Sequence, residues 1–455
     1  MVELTSLYHS RFPGIPAEGP FQVDLLVRVQ APDAPEAHSA PRAPLHLAVV
    51  LDRSGSMSGG PLREACRCAA AILDRMGPQD HLALVAYDNR AKVLRSCLPM
   101  NDKEETRRIL SSVHSGGNTN LHMGWATGVQ ELRKAHKPGV ISRVLLLSDG
   151  QANEGMVEPD DLAAECAQAQ GVGISTSTYG LGSGFGEGVM TAMAKHGQGR
   201  SYYGESAEDL MDPFMEEFDL LSNLVARKLT VAIRALPGIR VTQRNGYMPC
   251  GEGAWTLPDL PYQGEAWALF RLEGRVSELA PWISDGQVAL AQVLLHWQDA
   301  NGKDALLPPH NFLLPLVPST DYSQLPEDPL VARRVGELDA SYLQDQAHQA
   351  AMAGDWDRVQ VLLDELKSIS RDNAWTSSVV KELEALMEEG KQDVFLKEIR
   401  FSSSMGSMRI SAKDESDDYL MPTSSYLRRK KRQGKAPDRP QDPPMGTDLG
   451  IEPNP

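Results

Sequence analysis

The chain lacks the segments that would place it in or across a membrane. Its first residues, MVELTSLYHSRFPG, contain neither the basic start nor the apolar core of a secretory signal. The longest apolar runs, such as residues 45–51 and 144–147, have the length of a β-strand and are too short to span a bilayer. These absences predict a soluble protein with no membrane span, and a cytoplasmic location is the simplest account.

Cysteine is also scarce, with five residues in a chain of 455. An odd number in a chain of this length does not form a disulfide framework. Cys66 and Cys68 resemble a metal-binding pair, but residues two apart on a helix point to nearly opposite sides. We therefore expect five reduced thiols, which again favours the cytoplasm.

Basic residues are outnumbered, with 45 Lys and Arg against 61 Asp and Glu, and the formal net charge is -16. This charge disfavours binding to nucleic acid or to anionic membranes. Enzyme signatures are missing too, since the sequence contains no Walker A motif, no G-x-S-x-G elbow and no HExxH. The segment GLGSGFG from Gly180 resembles a dinucleotide fingerprint but does not open a βαβ unit. A non-enzymatic protein is the prediction.

What the sequence does contain is a regular alternation of apolar runs and helical patterns over residues 45–220. LHLAVVLD, HLALVAYD and ISRVLLLSD are near-continuous hydrophobic runs, which is typical of parallel strands covered on both faces. Helical patterns lie between them, including one that we expect to run from about Ser206 to about Ala226. The alternation predicts an α/β fold with a doubly wound, mainly parallel sheet.

The flanking segments show a period of two instead. FQVDLLVRVQ places Phe21, Val23, Leu25, Val27 and Val29 on one face of a strand, and KLTVAIR, EAWALFRLEG and QVALAQVLLHW repeat the pattern after residue 227. We predict that these strands form an antiparallel β-sandwich. The α/β domain is either inserted into this sandwich or flanked by it. The alternative is a lone N-terminal strand packed elsewhere.

The last part of the chain becomes helical and then polar. Two antiparallel helices turning at 354–355 and a third at 377–389 are predicted, and AAMAGDWDRVQVLLDEL resembles one tetratricopeptide-type hairpin. A serine-rich run, an acidic stretch and a basic block follow, which predicts disorder. The predicted domains are 1–42 for the first sandwich strand or strands, 43–226 for the α/β unit, 227–320 for the sandwich, 325–400 for the helices and 401–455 for a disordered tail.

Five oxygen-bearing side chains follow strands of the predicted parallel sheet. Asp52, Ser54 and Ser56 alternate along the loop after LHLAVVLD, Asp149 follows RVLLLS, and Thr119 lies in the Gly-rich turn SGGNTN. Open α/β sheets bind ligands at the carboxyl ends of their strands, and an all-oxygen set suits a hard cation. The alternative is that these serines and aspartates only cap helices and tighten turns.

Asp52-x-Ser54-x-Ser56 with Thr119 and Asp149 resembles the metal-ion-dependent adhesion site of von Willebrand factor type A (VWA) domains. The resemblance covers about residues 43–225 and extends to bacterial intracellular VWA proteins through GVGISTSTYGLGSGFGEGVMTAMAKHGQGRSYY. It implies that Ser54, Ser56 and Thr119 coordinate Mg²⁺, or Mn²⁺ or Ca²⁺, directly. It also implies that Asp52 and Asp149 act partly through water.

A cation held mainly by neutral hydroxyls keeps much of its charge and an open coordination position. The resemblance therefore implies a scaffold or adaptor that binds a protein partner through a Glu or Asp of that partner. Relatives that accompany kinases, phosphatases or chaperone-like proteins suggest a role in intracellular signalling or stress response. The alternatives are an adaptor of a separate AAA or MoxR-type ATPase, a metal-dependent hydrolase, and an extracellular adhesion protein.

Overall fold

The computed structural model describes residues 3–34, 42–137, 139–149, 152–182, 184–370, 374–407 and 411–412. The strands are β1 (Thr5–Ser10), β2 (Ile15–Pro16), β3 (Pro20–Gln30), β4 (Leu45–Asp52), β5 (His81–Tyr87), β6 (Ala91–Pro99), β7 (Ile141–Ser148), β8 (Ile174–Leu181), β9 (Gln198–Gly204), β10 (Leu224–Ala235), β11 (Arg240–Gln243), β12 (Pro249–Gly251), β13 (Ala254–Thr256), β14 (Leu260–Pro261), β15 (Gly264–Arg275), β16 (Ile283–Ser284), β17 (Gln287–Asp299), β18 (Asp304–Leu306), β19 (His310–Val317) and β20 (Ser411–Ala412). The helices are α1 (Gly60–Arg75), α2 (Lys103–Ser111), α3 (Leu121–Ala135), α4 (Pro159–Gly171), α5 (Glu187–His196), α6 (Met211–Ser222), α7 (Val276–Leu279), α8 (Ser319–Tyr322), α9 (Pro329–Met352), α10 (Trp356–Ile369), α11 (Ala374–Glu388) and α12 (Gln392–Ser407).

The α/β part is built on a six-stranded sheet in the order β6-β5-β4-β7-β8-β9. All neighbouring strands are parallel except β5 and β6. Along β4, Leu45, Leu47, Val49 and Leu51 pack in the core beneath α1 and α6, while Val50 packs in the core beneath α3. Both faces of the strand are therefore buried, which explains its unbroken apolar sequence and confirms the doubly wound parallel sheet.

Two further sheets enclose a second core. One has the order β1-β3-β15-β11, and the other has the order β12-β13-β10-β17-β19-β2. The predicted apolar face of β3 lies in this core. Strand β3 pairs with β15 from Pro20 opposite Arg275 to Gln30 opposite Glu265, so strands from before and after the α/β unit share one sheet. The alternative of a lone N-terminal strand packed elsewhere is therefore wrong.

Helices cover the outer face of the β3–β15 pair and part of the α/β unit. Leu26 and Trp267 on this outer face pack against Val331 and Leu338 of α9. Helices α9 to α12 form a core of their own. Helix α12 also reaches the α/β unit, because the Phe401 ring stacks on Tyr203 at 5.7 Å between centroids.

Two predicted segments have different bounds in the structure. The helix expected from about Ser206 to about Ala226 begins only at Met211, after a 3-10 turn at Ala207–Asp209, and ends at Ser222, because Leu224 already begins β10 and its side chain is buried. The disordered tail was expected from residue 401, but α12 continues to Ser407, since the buried Phe401 anchors it. Residues 413–455, the main part of the predicted tail, lie outside the described residues.

No helix among the described residues is long and apolar enough to cross a bilayer. All five cysteines are free thiols in the structure.

Candidate metal site

The parallel pairing of β4 with β7 brings two carboxylates to one edge of the sheet. Leu51 pairs with Leu147, so Asp52 at the end of β4 lies beside Ser148, and Asp149 follows directly. Asp52 is fully buried, while Asp149 is half-buried. The sheet therefore places one acidic side chain beneath the site and one at its rim.

The loop after β4 connects these two carboxylates through a chain of hydrogen bonds. The Ser54 amide donates to Asp52 Oδ1 at 2.8 Å, and the Ser54 and Ser56 hydroxyl oxygens are 3.1 Å apart. The Ser56 hydroxyl then donates to Asp149 Oδ1 at 2.7 Å. The buried side chain of Met57 holds this loop against the core. Four of the five predicted ligands are thus joined directly.

The loop that carries Thr119 lies against the loop after β4 through backbone contacts. The Gly55 amide donates to the Gly117 carbonyl at 3.0 Å, and the Gly116 amide donates to the Arg53 carbonyl at 2.7 Å. Gly117 has φ +85°, and a Cβ there would lie 2.4 Å from Asn89 Oδ1, so only glycine fits this turn. Thr119 itself is buried.

The backbone of Thr119 is held on its other side by Asn153. The Thr119 amide donates to Asn153 Oδ1 at 3.1 Å, and the Asn153 amide donates to the Thr119 carbonyl at 3.3 Å. Asn120 caps α3, because its side chain accepts from the Met123 amide at 3.0 Å. Asn120, and not Thr119, therefore caps α3. Helix α1 follows Gly59 without a side-chain capping bond, so the serines of the loop after β4 do not cap it, whereas the bond from the Ser54 amide to Asp52 does tighten that loop.

Several supporting residues escaped the sequence analysis. The Ser148 hydroxyl donates to Asp52 Oδ2 at 2.7 Å, and the Tyr87 hydroxyl lies 3.4 Å from the same oxygen. Arg53 forms an ion pair with Asp88 at 2.6 Å and so does not project toward the carboxylates. The position of Ser148 immediately before Asp149 is visible in the sequence and suggests a role at the site. The contact of Tyr87 with Asp52 depends on the pairing of β5 with β4, which the sequence does not show.

The electrostatics of the site favour a cation. Burial raises the pKa of Asp52, against the lowering effect of hydrogen bonds from Ser148 and Ser54. Burial also raises the pKa of Asp149 to about 6; the bond from Ser56 opposes this rise, and the charge of Asp52 adds to it. Two desolvated carboxylates near each other are stabilised in their charged form by a positive ion.

The composition of the site also fits a hard cation. In the part of the chain that the structure describes, no three His, Cys, Asp or Glu side chains gather into a metal-binding group. The candidate site instead combines two carboxylates with three hydroxyls. Such an all-oxygen set suits Mg²⁺, Mn²⁺ or Ca²⁺ better than a softer metal.

The other motifs are explained by packing. Gly180 of GLGSGFG lies against the Phe185 ring, and a Cβ there would be 2.3 Å from it. Burial raises the pKa of the Cys97 and Cys166 thiols to about 12, the opposite of what a thiolate nucleophile requires.

Known proteins resemble this chain in sequence over the α/β unit. A family profile for the von Willebrand factor type A domain matches residues 46–216. An uncharacterized protein from Synechocystis sp. is 30% identical over 187 residues, which cover 40% of this chain and 43% of that protein. The inter-alpha-trypsin inhibitor heavy chain H3 from Homo sapiens is 29% identical over 188 residues, covering 39% and 21%. The chain spans less than half the length of these curated relatives.

Solved structures resemble more of the chain. A von Willebrand factor type A protein from Catenulispora acidiphila aligns with a TM-score of 0.68 at 17% identity, over 83% of this chain and 89% of that one. The ArnB paralog VWA2 from Sulfolobus acidocaldarius aligns with a TM-score of 0.62 at 18% identity, over 89% and 99%. Both alignments extend well beyond residues 46–216, so the fold shared with these proteins includes more than the α/β unit.

Proposed function

Residues 46–216 form a von Willebrand factor type A domain, and from this premise we propose that the chain is a non-enzymatic, metal-dependent protein-interaction module. Domains of this family usually mediate protein–protein interactions. The observation that carries the proposal is the hydrogen-bonded chain from Asp52 through Ser54 and Ser56 to Asp149. It supports a single cation site shared by two strands.

Ser54, Ser56 and Thr119 would hold Mg²⁺, or Mn²⁺ or Ca²⁺, directly, and Asp52 and Asp149 would act partly through water. When bound, the cation supplies a positively charged coordination position that a carboxylate can occupy. Ser56 is exposed while Asp52 is buried, so the site is open on the side away from the sheet. This exposure supports a Glu or Asp of another protein as the ligand.

The proposed setting is the cytoplasm, where the module would act as a scaffold or adaptor in signalling or stress response. The five free thiols support this setting, since cytosolic proteins keep their cysteines reduced. A kinase, a phosphatase or a separate AAA or MoxR-type ATPase is a candidate partner. Co-purification of a hexameric ATPase would favour the last of these.

The test is affinity purification with wild-type, Asp52→Ala and Ser56→Ala baits, in Mg²⁺ and in EDTA. Direct Mg²⁺ titration by calorimetry accompanies it. We expect a loss of Mg²⁺ affinity of about tenfold or more in both variants, together with loss of the captured partner. Ser58→Ala is the matched control, because Ser58 is exposed in the same loop and lies outside the ligand set.

Ser56→Ala separates loss of metal binding from loss of folding. Ser56 is exposed, so its replacement should not disturb the fold, whereas Asp52 accepts buried hydrogen bonds. Partner capture that persists in EDTA and in both variants would contradict metal dependence. Hydrolysis of a substrate by the purified protein only when Mg²⁺ is present would contradict the non-enzymatic part.

A further inference from the structure

A second candidate site lies at the opposite edge of the parallel sheet from the metal site. A cavity of about 250 Å³ opens between the amino ends of β7 and β8 and the sandwich strands β10 and β17. We call it the basic cleft, and the residues that define it are His136, Lys137, Ser142, Gln198, Arg227 and Lys228. Three segments that are distant in the sequence meet there.

The basic cleft concentrates positive charge on a chain whose net charge is -16. Among the described residues, no carboxylate forms an ion pair with Lys137, Arg227 or Lys228. The acidic residue that lines the cleft, Asp259, accepts the Lys228 amide at 3.0 Å and lies 3.6 Å from the buried Arg143. Arg143 also pairs with the buried Glu217, and Asp259 acts on Arg227 as well. The three cationic side chains of Lys137, Arg227 and Lys228 nevertheless outnumber this one carboxylate, so the cleft keeps a net positive charge.

Arg227 is held in place by neutral partners. Its guanidinium donates to the Val140 carbonyl at 2.8 Å and lies 3.4 Å from the Asp299 carbonyl. The Asp299 carboxylate is engaged elsewhere, since it accepts from the amides of Asn301 and Lys303 at 2.9 Å each. Arg227 is thus held at the cleft by carbonyl groups and without an ion pair, while the carboxylates of Asp259 and Asp299 offset part of its charge from a distance.

The backbone around the cleft adopts unusual conformations. Lys228 has φ +49° and Gln198 has φ +51°, and they are two of the four non-glycine residues with positive φ in the described ranges. Each lies at an irregularity in strand pairing, of β10 with β17 and of β8 with β9. Such bulges redirect side chains, and strained residues of this kind cluster at functional sites.

The floor of the cleft is preorganised by buried polar contacts. His136 Nδ1 lies 3.0 Å from the hydroxyl of Ser142, which is only 2% exposed. Gly173 has φ +86°, and a Cβ there would lie 3.1 Å from the His136 ring, so glycine keeps this space open. Burial, and then the charges of Lys228 and Arg227, lower the pKa of His136, which is the response expected in a positive potential.

We propose that the basic cleft binds the phosphate group of a small phosphorylated molecule. Lysines without ion-pair partners provide point charges of the kind that bind phosphate, and His136 and Gln198 add neutral polar groups. The cavity is larger than one phosphate needs and smaller than most pockets for drug-sized ligands, which fits a phosphate with a small attached group. Nucleic acid is disfavoured because the chain as a whole carries a formal net charge of -16.

The experiment uses inorganic pyrophosphate as the probe with the full chain, in buffer without divalent cations. Isothermal titration and thermal unfolding should show saturable 1:1 binding and an upward shift of Tm. Lys228→Gln and Lys137→Gln should each weaken binding several-fold, and the double variant should abolish the Tm shift. Lys92→Gln on β6 makes the same charge change at an exposed site and should leave binding unchanged.

Parallel titrations with inorganic phosphate, glycerol 3-phosphate and citrate identify the ligand class. Tighter binding of glycerol 3-phosphate than of phosphate supports a phosphate ester as the ligand. Tighter binding of phosphate would identify the free ion as the ligand and would contradict the proposal that the ligand carries an attached group. Binding of citrate alone, binding by the double variant, or no binding at millimolar concentration each overturns the proposal. Asp52→Ala should bind pyrophosphate like wild type, so this test is independent of the metal site.

Discussion

At the scale of single residues, the candidate metal site depends on hydrogen bonds from side chains that would not touch the cation. Ser148 and Tyr87 orient Asp52 from behind, and Asn153 holds the backbone of Thr119. Such supporting contacts fix the direction of a ligand's lone pairs and commonly change metal affinity by about 10- to 100-fold. They are therefore the place to test the site without removing a ligand.

Ser148→Ala removes the 2.7 Å hydrogen bond to Asp52 Oδ2. We expect Mg²⁺ affinity to fall by about tenfold, because Asp52 loses the contact that orients it. Calorimetric titration measures the change. Ser201→Ala is the matched control, since Ser201 is also a buried strand serine but bonds Thr178 instead. Equal affinities for wild type and Ser148→Ala would contradict the role given to Ser148.

His46 makes stability depend on pH. Its side chain is buried on β4, and burial, with neighbouring positive groups acting in the same direction, lowers its pKa from 6.5 to about 4. Between these values the unfolded chain binds more protons than the folded chain, so stability falls as pH is lowered from about 6.5 toward 4.

Through His46 alone, we expect the free energy of unfolding to fall by about 2 kcal/mol when the pH is lowered from 7 to 5. His46→Phe should remove this part of the pH dependence, measured as the difference between urea unfolding curves at the two pH values. His114→Asn, at an exposed histidine, should retain the wild-type difference. A pH dependence unchanged in His46→Phe would show that other groups dominate.

At the scale of elements, helix α12 is joined to the loop before α5. Lys397 is 5% exposed and donates to the Phe185 carbonyl and to Glu187 Oε2, each at 2.9 Å. That loop also approaches the metal site, because a Cβ on Gly184 would lie 2.9 Å from the Asp149 carbonyl. Helix α12 therefore supports the rim of the candidate metal site through one short segment.

Lys397→Met should destabilise the protein by about 3 kcal/mol, because the Glu187 carboxylate would be left without its charge partner in a partly buried place. Denaturant unfolding measures the loss. Glu187→Gln in the same chain should recover part of it. Lys367→Met is the control, since its pair with Glu384 is exposed to solvent and should contribute little to stability. Equal losses in the two lysine variants would contradict this account.

At the scale of the whole molecule, buried charges join the sandwich to α9. Glu265 accepts from Arg28 Nε at 2.9 Å and lies 3.6 Å from Arg334, which in turn bonds Glu337 at 2.9 Å. The Arg334 guanidinium also lies 4.7 Å from the centroid of the Trp267 ring. Because these groups are buried together, the helical part and the sandwich should unfold as one unit.

Glu265→Ala should cost at least about 3 kcal/mol, since Arg28 and Arg334 would keep buried charges without their shared carboxylate. Glu273→Ala on the same strand is the control, because Glu273 is only half-buried.

Far-UV circular dichroism and tryptophan fluorescence should report one coincident urea transition in wild type. Two separated transitions would show that the helices and the sandwich unfold independently.

Local sequence patterns predicted the parallel sheet, the sandwich strands and the order of the five candidate oxygen ligands along the chain. These features follow from local periodicity and from residues placed directly after apolar strands, and such patterns act over a few neighbouring residues. The errors of these predictions were at boundaries: α6 ends before Ala226, and α12 continues past residue 400, because β10 and Phe401 make distant contacts.

Which distant segments meet is set by tertiary packing. The pairing of β3 with β15, the support of Asp52 by Tyr87 and the joining of Arg28 to Arg334 through Glu265 link residues far apart in the chain. The basic cleft likewise gathers side chains from the VWA domain and from the sandwich. Long-range packing determines these contacts, and local sequence patterns do not encode it, because the same periodic strand can pair with several partners.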